Sequence, residues 1–238
     1  MARMSEPVTP IVALDVGEST AALTLVDEIG DLCRFYKIGG ELYTAEGPEI
    51  VRDVLKRGAS VFLDLKVHDI PNTARGAARS AASLGVNLLT VHAAGGRAML
   101  EAAVTGAREG AGGSSCEVFG VTVLTSMDSK ALSVAWGRPV SSIQDEVLRL
   151  GQLALDADIH GIVCSGEEAA AVRSKFGDRL ATLVPGVRLP GGDPQDQKRI
   201  VTPKAAAEAG ARYIVVGRAV TAAKSPRDAM SEVLSDLS

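Results

Sequence analysis

Eight short apolar runs recur along the chain, and between them the apolar positions switch to helical spacing. The runs are Ile11 to Asp15, Phe35 to Ile38, Ser60 to Leu63, Asn87 to His92, Val118 to Leu124, Gly161 to Cys164, Ala181 to Val184 and Tyr213 to Val216. Each reads as a strand apolar on both faces, as parallel strands buried on both sides are. Helices are expected over about residues 19–29, 42–57, 72–84, 142–157, 167–175, 203–209 and 226–237, with a further one after Gly95-Gly96 that ends near Arg108. Eight strands alternating with eight helices predict an α/β protein, a single (β/α)8 TIM barrel forming one catalytic domain over residues 1–238. An open doubly wound sheet is the alternative. Two connections are long, Thr125 to Ser141 after the fifth strand and Pro185 to Val201 after the seventh. Loops of that length inside a compact domain are usually functional.

Polar residues interrupt this pattern at one kind of place. Asp15 ends the first strand, Lys37 the second, Asp64 and Lys66 the third, and His92 the fourth. Thr122 and Thr125 lie at the end of the fifth, Arg188 follows the seventh, and Gly217-Arg218 follows the eighth. In a barrel these ends form one face, where barrel enzymes keep their active sites. Side chains two apart on a strand share a face, so Asp64 and Lys66 point the same way, and Asp69 follows in the loop beyond. Alone, this segment reads equally as a structural ion pair with a helix cap at Asp69. The alignment of polar residues at so many strand ends favours function. Lys37, set among apolar neighbours, needs a carboxylate partner, and Asp15 or Asp64 would supply it. His92 reads as a buried, hydrogen-bonded histidine.

The eighth strand adds a second signal. Glycine lets backbone N–H groups approach an anion and arginine offers a planar fork of donors, so Gly217-Arg218 suits a phosphate, with Arg188 and the loop from Gly191 to Lys198 placed to close over it. The pattern implies a phosphorylated small molecule whose reacting part lies over strands one to three. A lysine among carboxylates acts as a proton donor when charged or as an imine-forming nucleophile when neutral. Flanking acids favour the charged form, hence proton donation.

Composition narrows the setting without changing the picture. The net charge of −4 argues against broad nucleic-acid binding, and no apolar run reaches membrane-spanning length. Residues Met1 to Pro10 lack a signal-peptide pattern, so a cytoplasmic location is expected. Cys33, Cys116 and Cys164 are far apart and read as reduced, buried thiols. The scattered His68, His92 and His160 form no metal-ligand spacing, and no metal is expected.

Asp64-x-Lys66-x-x-Asp69-Ile-Pro-Asn-Thr73 resembles the signature of the orotidine 5'-phosphate decarboxylases. The blocks Ala13-Leu-Asp15, Lys37-Ile-Gly, Val91-His-Ala-Ala-Gly, Val123-Leu-Thr-Ser126, Pro185-Gly-Val-Arg188, Asp196-Gln197-x-Arg199 to Thr202-Pro203 and Val216-Gly-Arg218 complete the set, in order over nearly the whole chain. The resemblance implies decarboxylation of orotidine 5'-phosphate to uridine 5'-phosphate, the last step of de novo pyrimidine biosynthesis, without cofactor or metal. It implies Lys66 as proton donor to C6 and Asp64 beside the substrate carboxylate. Lys37 and Asp69 complete an alternating charged network. Asp69 and Thr73 would be contributed across a homodimer interface. Asp15 and Lys37 would contact the ribose, Thr125 would lie near the pyrimidine, and Gln197, Gly217 and Arg218 would hold the phosphate with Arg188 close by. Magnesium-dependent sugar-phosphate decarboxylases and aldolases on the same barrel share the Asp-x-Lys-x-x-Asp element but look different at strand two and after strand five, and form the alternative. A non-catalytic phosphate-binding barrel is a third reading, against which the costly charged cluster argues. Val67 stands where many members carry an aromatic residue, and the segment from Ser129 to Val140, with Trp136, matches no recognisable pattern.

Overall fold

The apolar runs pair side by side in chain order as β1 (Thr9–Ala13), β2 (Phe35–Gly39), β3 (Ser60–Val67), β4 (Leu88–His92), β5 (Glu117–Val121), β6 (Gly161–Val163), β7 (Ala181–Val187) and β8 (Tyr213–Val216). Every pair is parallel and β8 returns to β1, so the sheet is a closed barrel and the open doubly wound alternative is excluded. These elements belong to a computed structural model that describes residues 7–189 and 201–238. Among the described residues no helix is long and apolar enough to cross a membrane.

Two cores hold the barrel. Inward side chains, among them Ile11, Phe62, Leu88, Phe119, Leu183 and Tyr213, fill its interior. Outward side chains of the same strands pack under the surrounding helices in a larger core. Toward the amino ends of the strands, Tyr213 meets the rings of Phe35 and Phe119 edge-on, at 6.0 and 5.7 Å. That closes the floor, leaving the inward positions at the carboxyl ends as the lining of any opening.

The helices are α1 (Ser19–Ile29), α2 (Gly40–Glu46), α3 (Pro48–Lys56), α4 (Pro71–Ser83), α5 (Arg97–Gly110), α6 (Ser129–Trp136), α7 (Ile143–Asp156), α8 (Gly166–Phe176), α9 (Pro203–Glu208), α10 (Arg218–Thr221) and α11 (Pro226–Leu237). Three differ from the sequence expectation. The helix over residues 42–57 is two helices, because Gly47 takes φ +66° and Pro48 starts a new first turn. The connection from Thr125 to Ser141 carries α6, capped by Asp128, whose side chain accepts from the Ala131 N–H at 2.9 Å, and ended by Gly137 in the left-handed region. A further short helix, α10, follows β8 directly.

The unplaced Trp136 has a structural role. Its ring is within reach of the guanidinium groups of both Arg138 and Arg149, at 5.0 and 5.8 Å, and both arginines pair with Glu146, at 2.6 and 2.8 Å. This stack fastens α6 onto α7. Next to this pair, α4 and α5 run almost backbone to backbone. A Cβ on Gly106 or Gly110 would stand 2.1 Å from the carbonyl oxygen of Arg75 or Arg79. The close approach anchors α4, and with it the segment from His68 to Ile70 that leads into it.

Candidate active site

Strand β3 leaves regular geometry where its charged residues begin. Its register with β4 breaks between Leu63 and Val67, and Lys66 takes φ +49°, a conformation that costs an L-residue roughly 1–2 kcal/mol. Within the break the Lys66 N–H donates to the Thr90 hydroxyl oxygen of β4 at 3.0 Å, where a regular ladder would use a main-chain carbonyl. The same hydroxyl donates to Asp64 Oδ1 at 2.8 Å.

The carboxylates and ammonium groups alternate. Asp15 Oδ1 lies 2.6 Å from Lys37 Nζ, Lys37 Nζ lies 3.7 Å from Asp64 Oδ2, and Asp64 Oδ2 accepts from Lys66 Nζ at 2.7 Å. Lys37 is buried and lies between two acids, the pairing that makes a buried lysine tolerable. Asp64 sits between two ammonium groups, and both of its oxygens are engaged.

Gly39 makes room for this chain of charges. It is in register with Asp64, and a Cβ on it would stand 2.9 Å from Lys37 Nζ and 3.2 Å from Asp15 Oδ1. The flexible lysine end would yield first. Gly39→Ala is therefore expected to keep the native melting temperature within about 2 °C but to lose at least about tenfold in turnover, because the displaced ammonium no longer bridges Asp15 and Asp64. Thermal melts and steady-state kinetics on the purified variant check both parts.

His92 ends β4, with its ring 5.3 Å from that of His68. Burial, and after it the neighbouring His68 and Lys66, push its pKa below the ordinary histidine value. It is neutral near pH 7 and adds no charge to the site, but it is only half-buried and makes no hydrogen bond among the described residues, so it is not the buried, hydrogen-bonded histidine expected from the sequence. Thr122 is structural, donating to the Val163 carbonyl at 2.7 Å.

A cavity of about 480 Å³ opens over the barrel, within the range of small-molecule sites. One wall is the charged chain Asp15, Lys37, Asp64 and Lys66. Phe62, Val121, Val163, Leu183 and Val215 supply apolar surface. Thr125, Arg188, Gly217 and Arg218 complete the lining. The arrangement joins an acid–base wall, an apolar surface and two arginines, Arg188 and Arg218, in one cavity. It can hold an anionic molecule and deliver a proton from a fixed ammonium to one edge of it.

Eight of the residues singled out in the sequence thus line one cavity: Asp15, Lys37, Asp64, Lys66, Thr125, Arg188, Gly217 and Arg218. Asp69 and Thr73 do not line it. Both are exposed on the rim, Asp69 accepting from the adjacent Ile70 N–H at 2.7 Å. Among the described residues Asp69 has no ion pair, and Ile70 beside it is 67% exposed. Gln197 falls outside the described residues. The residues missed from sequence are Thr90 and Gly39. Both occupy inward positions of their strands, two residues from His92 and Lys37, but that period alone does not set them apart from the other inward positions.

A family model described as the orotidine 5'-phosphate decarboxylase / HUMPS family matches residues 9–233. Curated relatives include an orotidine 5'-phosphate decarboxylase of Moorella thermoacetica, 43% identical over 100% of this chain and 95% of its own. Another, from Vibrio cholerae, is 44% identical over 95% of this chain and 97% of its own. Among solved structures, orotidine 5'-phosphate decarboxylase from Lactobacillus acidophilus superposes with a TM-score of 0.86 at 33% identity, covering 98% of this chain and 99% of that one.

Proposed function

The chain belongs to the orotidine 5'-phosphate decarboxylase / HUMPS family, and from that premise we propose that it is a carboxy-lyase converting orotidine 5'-phosphate to uridine 5'-phosphate in pyrimidine biosynthesis. The family description spans two branches. The curated relatives quoted above, matched over nearly their full length, are named for the decarboxylase. The observation that carries the reading is the alternating Asp15–Lys37–Asp64–Lys66 chain on one wall of the cavity. Lys37 on β2 is part of it, at the strand where the sugar-phosphate branch looks different.

The proposed mechanism uses this chain's own groups. The pyrimidine ring lies against the apolar surface with its carboxylate beside Asp64. Loss of carbon dioxide leaves an electron pair on C6, with no cofactor to delocalise it. The Lys66 ammonium, already fixed at 2.7 Å from Asp64, stabilises that pair and then protonates C6. Asp15 and Lys37 bind the ribose hydroxyls. Arg188, Gly217 and Arg218 hold the phosphate together with Gln197, and Thr125 faces the pyrimidine. The phosphate is remote from the breaking bond, so its binding energy positions the ring and acts on the rate.

In this reading the working form is a homodimer. Asp69 and Thr73 stand on the rim with an exposed isoleucine between them, a surface suited to cover by a second copy. The partner subunit's Asp69 then extends the charged chain beyond Lys66, and the partner subunit's Thr73 reaches the ribose.

The decisive test is the loss of orotidine 5'-phosphate absorbance by purified protein in excess EDTA. Rapid loss with uridine 5'-phosphate as product, at the same rate with and without chelator, is expected. No turnover in EDTA, or turnover of a sugar phosphate restored by magnesium, would overturn the reading in favour of the other branch.

A further inference from the structure

We infer that Thr90 is the positioning residue for both Asp64 and Lys66, one buried hydroxyl that ties the two reacting side chains of the proposed decarboxylase into a single rigid unit. The inference deepens the decarboxylase reading and rests on it for its kinetic consequence.

Thr90 lies at the centre of β4 and is 0% exposed. The hydrogen-bond inventory of its two neighbours fixes the direction of its proton. The Lys66 N–H can only donate, so the hydroxyl oxygen accepts from it, at 3.0 Å. The hydroxyl hydrogen is then directed at Asp64 Oδ1, 2.8 Å away, and an ionised carboxylate can only accept. The other oxygen, Asp64 Oδ2, accepts from Lys66 Nζ at 2.7 Å. The path from the Lys66 N–H through Thr90 and Asp64 to the Lys66 ammonium is a closed ring. Both ends of residue 66, its main-chain nitrogen and its charged tip, are held to one carboxylate through one threonine.

The ring occupies the place where β3 loses its ladder. The register break between Leu63 and Val67 and the positive φ of Lys66 make this the strained part of the strand, and such strain persists only where surrounding bonds over-determine it. The threonine hydroxyl replaces a main-chain acceptor and so permits the left-handed turn that aims Lys66 into the cavity. Loss of the hydroxyl frees the Lys66 backbone and removes the donor that sets the plane of the Asp64 carboxylate. The phosphate-binding residues come from other strands and are untouched.

The test compares three variants. Thr90→Val keeps the side-chain shape and removes the hydroxyl. Thr90→Ala and Thr90→Ser both lose the methyl group and differ only in the hydroxyl. A displacement of the reacting group by an ångström costs about 10²-fold, so kcat is expected to fall about that much in the Val and Ala variants, with KM within about threefold of native. Thr90→Ser is expected to stay within about fivefold of native kcat. Amide hydrogen exchange at Lys66 reads the same tie without reference to turnover: slow in the native and Ser proteins, fast in Val and Ala. If Thr90→Val does not fold, the Ala–Ser pair decides. A folded Val or Ala variant with native kcat and a protected Lys66 amide would overturn the inference, as would a Ser variant as impaired as Ala. A native protein inactive on orotidine 5'-phosphate would instead fail the decarboxylase reading, while the exchange measurement still decides the tie.

Discussion

Replacing Lys66 with alanine is expected to lower turnover by roughly 10⁴-fold or more while leaving uridine 5'-phosphate binding within about threefold of native. Two contributions are lost together. In the proposed mechanism the ammonium stabilises charge developing on C6 and is also the source of the proton. Each is typically worth about 10²- to 10⁴-fold. Binding survives because the groups proposed to hold the phosphate and ribose remain. Folding survives as well. The Lys66 side chain is 40% exposed, its left-handed φ is no worse for alanine than for lysine, and Asp64 retains Thr90 and has Lys37 at 3.7 Å. Single-turnover kinetics with titration of the nucleotide check both halves. Turnover within tenfold of native would remove Lys66 from the proton-donor role.

The same side chains explain what sequence could and could not disclose. The barrel was legible because parallel strands buried on both faces leave continuous apolar runs, and a two-residue period survives inside them. Phe62, Asp64 and Lys66 are successive inward positions of one strand, so the switch from apolar to charged marks where the packed interior ends and the cavity begins. Lys37 was legible as a charge without an apolar explanation. Thr90 was not, since a threonine within a β-strand needs no explanation and its importance comes from a register break that no local pattern announces. Gly39 was hidden for a related reason. Its value is the absence of a side chain opposite Asp64, which becomes meaningful only when the β2–β3 register is known. The break at Gly47-Pro48 carried a clear signal, and the long helical period around it masked the boundary. The Trp136 stack depends on Arg149 from another helix and could not be read from its own segment.

Asp69 poses a different problem, since its position in one chain does not explain its place beside Lys66 in the motif. Among the described residues it caps no distant group, and it does not line the cavity over the barrel. The proposed shared site would resolve this, and mixing two inactive proteins tests it. Asp69→Ala and Lys66→Ala are each expected to be nearly inactive. In a hybrid dimer, the site built on the subunit that keeps Lys66 receives Asp69 from the other, so that one site is native and the second lacks both groups. Random exchange at equal concentrations makes half the dimers hybrid, and about one quarter of native activity is expected to return. The recovered activity should have the native KM, because the restored site is complete, and should disappear on exchange into an excess of the protein carrying both Asp69→Ala and Lys66→Ala, which completes no site with either parent. A mixture that stays inactive after mass spectrometry has shown hybrid dimers would place Asp69 outside the reacting site. Recovery proportional to hybrid content would instead require that the acid beyond Lys66 come from the second copy. The exposed rim bearing Asp69, Ile70 and Thr73 would then be part of the active site, and dimer dissociation would abolish activity without unfolding either barrel.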